Sequence, residues 1–321
     1  MLLVLGSGLG ARTWAQDATF ATGVNVVSVL ASVRDKQGHY VRDLGQDDFE
    51  LREDGRLQQI RYFSRQTDAA LTLGMLVDTS LSQRRVLDEE RNAGREFLLQ
   101  VLRPAKDSAF LIRFDVEVEL TQDSTNSLTT LDKALNSLDV PRARAGRGRG
   151  VATGIGTLLY DAVFLAADEV LKKLEGRKAI ILLSDGDDHG SKISLARAVE
   201  TTQKADTSVY AIHIFDENGG LARGFGGAAR GRRRTPARRR ESIGQKVLLQ
   251  IAEETGGRYF DVTDKKPLDV VYREIEEELR NQYSLGYVSD RPAPSAEFRK
   301  IAIVSKRKGL TVQARNGYYA R

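Results

Sequence analysis

LTLGMLVDTSLSQ, residues 71–83, decides the reading of this chain. Its apolar run ends at Asp78, and Ser80 and Ser82 follow at spacings of two before a helical pattern begins. AIILLSDGDD (179–188) repeats the design, with an apolar run ending at Asp185. GIGTLLYDA (154–162) places Thr157 just ahead of another helical run. In an open α/β sheet such junctions crowd together at the carboxyl ends of the strands, where these folds bind ligands. Two carboxylates and three hydroxyls are hard oxygen donors, a set that suits Mg²⁺ in octahedral geometry with water and one partner oxygen completing the shell.

Around these junctions strands alternate with helices. Strands are expected at 71–77, 108–114, 116–120, 178–184, 208–215 and 258–262, and helices at 84–102, 129–138, 157–174, 194–206, 242–255 and 267–282. Ala93, Phe97 and Val101 recur every four residues, and Leu158, Ala162, Leu165 and Val170 form a similar stripe. AIILL and VYAIHI are continuously apolar, as strands buried on both faces require. The expected fold is therefore α/β, a doubly wound, mostly parallel sheet with helices on both faces. Asp115, in RFDVEVE, marks a tight turn between two strands.

The flanks read differently. Residues 23–34 are Val-rich, and Asp54-Gly55 between two short alternating runs is a hairpin signal. YSLGYV, FRKIAIVS and LTVQAR follow residue 282. Neither flank has enough strands to bury a core alone. The economical solution pairs them, so that 23–68 and 283–321 form one small β domain with 69–282 inserted. Residues 1–22 are expected to be a signal-peptide remnant, with cleavage after Ala15, or a disordered segment.

The chain has 321 residues and no cysteine, which excludes disulfides and thiolate metal sites. None of its three histidines has H-E-x-x-H spacing, which argues against a zinc hydrolase. The net charge of +5 is uneven. Arg142, Arg144, Arg147 and Arg149 lie in one acid-free stretch, and Arg232, Arg233 and Arg234 belong to a second, residues 223–240. Together the two stretches hold twelve arginines, so the rest of the chain is net acidic. Both connections should emerge on the carboxyl face of a parallel sheet and form a cationic rim that steers an acidic partner.

The pattern D-x-S-x-S, a distant Thr and a distant Asp resembles the metal-ion-dependent adhesion site of von Willebrand factor A domains, matched here by Asp78, Ser80, Ser82, Thr157 and Asp185. The resemblance covers about residues 69–282. The flanking DLGQDDFELREDGRLQQIRYFSRQ, YSLGYVSD and QARNGYYAR resemble bacterial A-domain-related proteins abundant in acidobacteria. The resemblance implies that the serines bind metal directly, that Thr157 joins directly or through water, and that Asp78 and Asp185 act mainly through water. It implies Mg²⁺ or Mn²⁺ as cofactor, an acidic side chain of a protein partner as last ligand, and a secreted or periplasmic location. Asp187 and Asp188 are expected in the second shell or in solvent.

Two other functions compete with this one. The RGRRRTPARRR run could bind nucleic acid or an anionic polymer by charge, but Phe225 is the only aromatic residue near it to stack on a base. A metal-dependent hydrolase would need a phosphate cradle or a positioned base. No G-x-x-x-x-G-K-[ST] loop occurs, and His189 is the one candidate base. The sequence therefore points to binding, with no enzymatic activity and no small-molecule substrate. No run is long and apolar enough to span a bilayer.

Overall fold

The described chain opens with four strands, β1 (Val26–Arg34), β2 (Phe49–Glu53), β3 (Arg56–Gln58) and β4 (Ile60–Arg65). The β2–β3 turn has Asp54 at φ 47° and Gly55 at φ 83°, the left-handed pair that a two-residue hairpin needs. This computed structural model describes residues 26–65, 69–80, 83, 86–139, 156–214, 242–291 and 297–320. Ser82, Arg142, Arg144, Arg147, Arg149, Arg232, Arg233, Arg234 and the expected leader lie outside the described residues.

Alternation follows: β5 (Leu71–Asp78), α1 (Leu87–Val101), β6 (Ser108–Phe114), β7 (Val118–Thr125), α2 (Leu128–Ser137), α3 (Leu159–Leu165), β8 (Arg177–Ser184), α4 (Leu195–Lys204), β9 (Thr207–His213), α5 (Ile243–Thr255), β10 (Tyr259–Asp261) and α6 (Leu268–Arg280). The chain then returns to strands, β11 (Gln282–Val288), β12 (Phe298–Ser305), β13 (Thr311–Ala314) and β14 (Gly317–Tyr319).

The central sheet runs β10-β9-β8-β5-β6-β7. Every neighbouring pair is parallel except β6–β7, which is antiparallel. All eight residues of β5 and all eight of β8 are buried, as expected for central strands covered on both faces. Strand alternation divides the core. Leu73, Met75, Val77, Ile181 and Leu183 pack under α1, α2 and α6. Leu76, Ile112, Ile180 and Leu182 pack under α3, α4 and α5. This is the doubly wound sheet that the apolar runs demanded.

Two helix stripes differ from expectation. In α1 the buried position beside Phe97 and Val101 is Gly94, where a Cβ would come to 3.0 Å from Met75 Cε, while Ala93 packs part-buried against the same core. In α3 the buried residues are Leu159, Ala162 and Val163, while Leu158 and Leu165 are half-buried. The helix widens into a π-helical turn at Ala166–Val170 before a 3₁₀ turn, so its buried face drifts off a strict 3.6-residue stripe.

Strands from the two chain ends share two antiparallel sheets, β13-β1-β11-β4 and β14-β12-β2-β3. Val26 pairs with Val288, Leu285 with Phe63, and Ile301 with Glu53. Val29, Val33, Leu44, Leu51, Tyr283 and Leu285 lie in the core of this β unit. Glu278 of α6 joins the β unit to the α/β unit: its carboxylate accepts hydrogen bonds from Tyr40 Oη at 2.9 Å, Tyr210 Oη at 3.3 Å and Arg258 Nη1 at 3.2 Å. Among the described residues no helix is long and apolar enough to cross a membrane.

Candidate metal centre

Asp78 ends β5 and is fully buried. Val77 pairs with Leu183 across the sheet, which brings Asp78 beside Ser184 at the end of β8. The Ser184 hydroxyl donates to Asp78 Oδ2 at 2.7 Å, and the Ser80 backbone N–H donates to Oδ1 at 2.9 Å. The second bond folds the 78–80 turn back on its own aspartate, a local motif open to a short acidic side chain. Ser184 Oγ also accepts from the Gly186 N–H at 3.0 Å, so it ties Asp78 to the turn that carries Asp185.

Thr157 arrives by a separate route. Its N–H and C=O pair with the backbone of His189 at 3.3 and 2.8 Å, and the next N–H, that of Leu158, donates to Asp115 O at 2.9 Å. Asp115 turns back toward the first junction: Oδ2 accepts from Thr79 Oγ1 at 3.1 Å and from Arg113 Nη1 at 3.1 Å. It does form the tight turn expected of it, with Oδ1 accepting from the Glu117 N–H at 2.9 Å. It also connects the Asp78–Ser80 turn to the Thr157 turn, a role with no local sequence signal. Asp188 has a structural task of its own. Oδ1 accepts from the Tyr160 N–H at 3.2 Å and from Ser191 Oγ at 2.5 Å, fastening the 186–191 loop to the start of α3. Asp187 is exposed.

Gly186, at φ 82°, lets the Asp185 turn meet the first turn of α5. A Cβ on Gly244 would lie 2.2 Å from Asp185 O, and one on Gly186 would lie 2.3 Å from Gly244 O. Ser242 caps α5 in a capping box: its Oγ accepts from the Gln245 N–H at 3.0 Å, and its own N–H donates to Gln245 Oε1 at 2.8 Å. The positive end of a helix therefore stands against the acidic turn. Gly244→Ala tests this contact. Helix propensity alone would stabilise the variant by up to about 1 kcal/mol. The backbone collision reverses the sign, and we expect a net loss of about 1–3 kcal/mol in thermal unfolding together with weaker metal binding.

The electrostatics fit a cation. Burial, and then the Asp185 carboxylate, push the Asp78 carboxyl up to about 7. Burial pushes Glu90 on α1 well above the usual carboxylate range, with Asp78 adding to it. Both Glu90 oxygens are buried with no hydrogen-bond partner among the described residues. The raised Asp78 and Glu90 carboxyls mark buried negative charge without a compensating cation, and a bound divalent ion would reverse both shifts. Among the described residues no group of three or more His, Asp or Glu is arranged to hold a metal. The candidate donors are instead two carboxylates, Asp78 and Asp185, with the hydroxyls of Ser80 and Thr157, both of which are buried.

One further polar contact has no local sequence signal. His213, paired in register with Ser184 and with Asp261, has its Nδ1 2.7 Å from Asp261 Oδ1. Asp78, Ser184, His213 and Asp261 thus stand in one row along the carboxyl edge of four adjacent strands.

No family model matches the sequence, and no curated protein matches it. Solved structures with a similar fold include a von Willebrand factor type A protein from Catenulispora acidiphila, at 12% identity and a TM-score of 0.47 over 94% of this chain and 75% of that one. Proximal thread matrix protein 1 from the mussel byssus is 14% identical with a TM-score of 0.49, over 71% of this chain and 51% of that one. An aerotolerance-related membrane protein from Bacteroides fragilis is 15% identical with a TM-score of 0.45, over 65% of this chain and 98% of that one. At these levels the functional reading rests on the residues of this chain. With its β10-β9-β8-β5-β6-β7 strand order, its single antiparallel edge strand and its helices on both faces, the α/β unit is a doubly wound α/β fold.

Proposed function

We propose that this protein binds a protein partner through a divalent cation held at the carboxyl edge of the central sheet. Ser80, Ser82 and Thr157 supply hydroxyl oxygens, and Asp78 and Asp185 act mainly through water. The cation is Mg²⁺ or Mn²⁺, since a compact hydroxyl-rich site disfavours the larger Ca²⁺. When bound, it supplies a Lewis-acidic centre that takes an Asp or Glu side chain of the partner as its last ligand. Because Asp78 and Asp185 act mainly through water, hydroxyls and waters fill the inner shell and leave the cation incompletely neutralised. The work is binding, with no chemical turnover, in a secreted or periplasmic setting. The Arg142–Arg149 and Arg232–Arg234 stretches steer the acidic partner, and the pairing of β1 with β11 supports a β domain into which the α/β unit is inserted.

The observation that carries this reading is the Asp78 carboxylate, buried beside Asp185 and fastened by the Ser80 N–H and the Ser184 hydroxyl. Calorimetric titration of Mg²⁺ and Mn²⁺ tests it. We expect saturable 1:1 binding, weakened by about 100-fold or more in Asp78→Ala and Thr157→Ala, because loss of even an outer-shell partner costs about 10–100-fold. Equal binding by wild type and variants would refute the site.

A further inference from the structure

Two aliphatic side chains stand uncovered beside the candidate centre, one on each side. Ile243, the first residue of α5, is 81% exposed. It precedes Gly244, whose backbone abuts Asp185 O. Val116 is 41% exposed at the tip of the turn that Asp115 organises. Its Cγ1 would lie 3.1 Å from a Cβ on Gly156, the neighbour of Thr157. In the sheet order Val116 belongs to the β6 side and Ile243 to the β8–β9 side, so they bracket the β5–β8 pair that carries Asp78 and Asp185. A single exposed aliphatic residue needs no explanation. A pair on opposite banks of one polar site has a shared use.

We propose that Val116 and Ile243 set the specificity of the site, which takes an extended segment of the partner bearing one Asp or Glu with an aliphatic residue two positions before it and two positions after it. The inference rests on the metal-dependent reading above. The geometry of an extended chain supplies the spacing. Side chains alternate sides, so residues i−2 and i+2 point the same way as the acid at i, while i−1 and i+1 point away. At about 3.3 Å per residue, i−2 and i+2 stand about 13 Å apart. Strands β6 and β8 flank β5 on either side, two inter-strand spacings apart, about 10 Å. Carboxylate and aliphatic side chains therefore reach cation and banks together. Moving the aliphatic residues to i−1 and i+1 directs them to solvent.

Two peptides of identical composition test this, acetyl-Leu-Ser-Glu-Ser-Leu-amide and acetyl-Ser-Leu-Glu-Leu-Ser-amide, measured by calorimetry in Mn²⁺ after metal binding itself has been titrated. We expect the first to bind about tenfold tighter. That advantage should vanish in Ile243→Ser and Val116→Ser, which keep wild-type metal affinity because both side chains are exposed. Replacing Glu by Gln, or adding EDTA, should abolish binding of both peptides. Equal affinity of the two peptides for the wild type, or an advantage that survives both variants, would overturn the proposal. So would metal binding with no peptide binding. Failure of the metal titration, or binding that ignores EDTA and the Glu-to-Gln change, would instead overturn the metal-dependent reading beneath it.

Discussion

Asp78→Asn is expected to abolish divalent-metal binding while making the metal-free protein more stable above neutral pH. The sign follows from the buried carboxyl. Its folded-state value is pushed up to about 7 by burial and by Asp185, whereas an unfolded Asp titrates near 3.9. The folded state therefore binds the proton more tightly than the unfolded state does. The stabilisation is fully present below about pH 4 and is lost as pH rises through 7. About three pH units correspond to at most about 4 kcal/mol. Asn keeps the acceptor for the Ser80 N–H and carries no charge at any pH, but it leaves the Ser184 hydroxyl proton without its acceptor, which costs about 1 kcal/mol. In EDTA the variant should melt above the wild type by several degrees at pH 8, and the gap should close by pH 4–5. In saturating Mg²⁺ only the wild type should gain stability, because only it has a site to fill. A variant that melts below the wild type at pH 8 in EDTA would show that Asp78 is not held at an electrostatic cost.

Glu53→Ala should unfold the β unit more severely than any surface change. Glu53 and Arg299 are both essentially unexposed, and Arg299 Nη1 lies 3.1 Å from Glu53 Oε1. The same carboxylate accepts from Ser289 Oγ at 2.6 Å, Tyr287 Oη at 2.7 Å and Tyr318 Oη at 3.0 Å. Burial and Glu53 push both tyrosine hydroxyls up. Removing the acid strands a buried guanidinium and two buried phenols. Breaking such a pair from one side costs about 3–5 kcal/mol. Glu53→Leu combined with Arg299→Met should recover the part of that loss due to the unpaired guanidinium, while the Tyr287, Ser289 and Tyr318 hydroxyls still lack the Glu53 acceptor. Arg52→Ala is the control: its pair with Glu50 is exposed and should contribute under about 1 kcal/mol. Urea unfolding of the four proteins reads the result. A Glu53→Ala protein within about 1 kcal/mol of wild type would refute the account.

Much of this architecture is written in local pattern. The Asp54-Gly55 hairpin, the fully buried β5 and β8, and the acids at or just past their carboxyl ends, Asp78 and Asp185, follow from residue type and spacing over stretches of about ten residues. Helix faces were less legible. In α1 Gly94 is buried where Ala93 is only part-buried, and the α3 stripe drifts through a π-helical turn.

Periodicity, which acts between near neighbours, is enough to set the α/β class, the carboxyl-edge position of Asp78 and Asp185, and the polar character of their surroundings. Which charges are buried, and what holds them, is settled by contacts between distant segments. Glu53 meets Arg299 across 246 positions, Glu278 meets Tyr40 across 238, and Ser184 reaches Asp78 across 106. Each of these residues reads locally as an ordinary polar residue. Their burial is set by strand register and by the packing of one unit on another, and a buried polar group must find its partner wherever the fold delivers one.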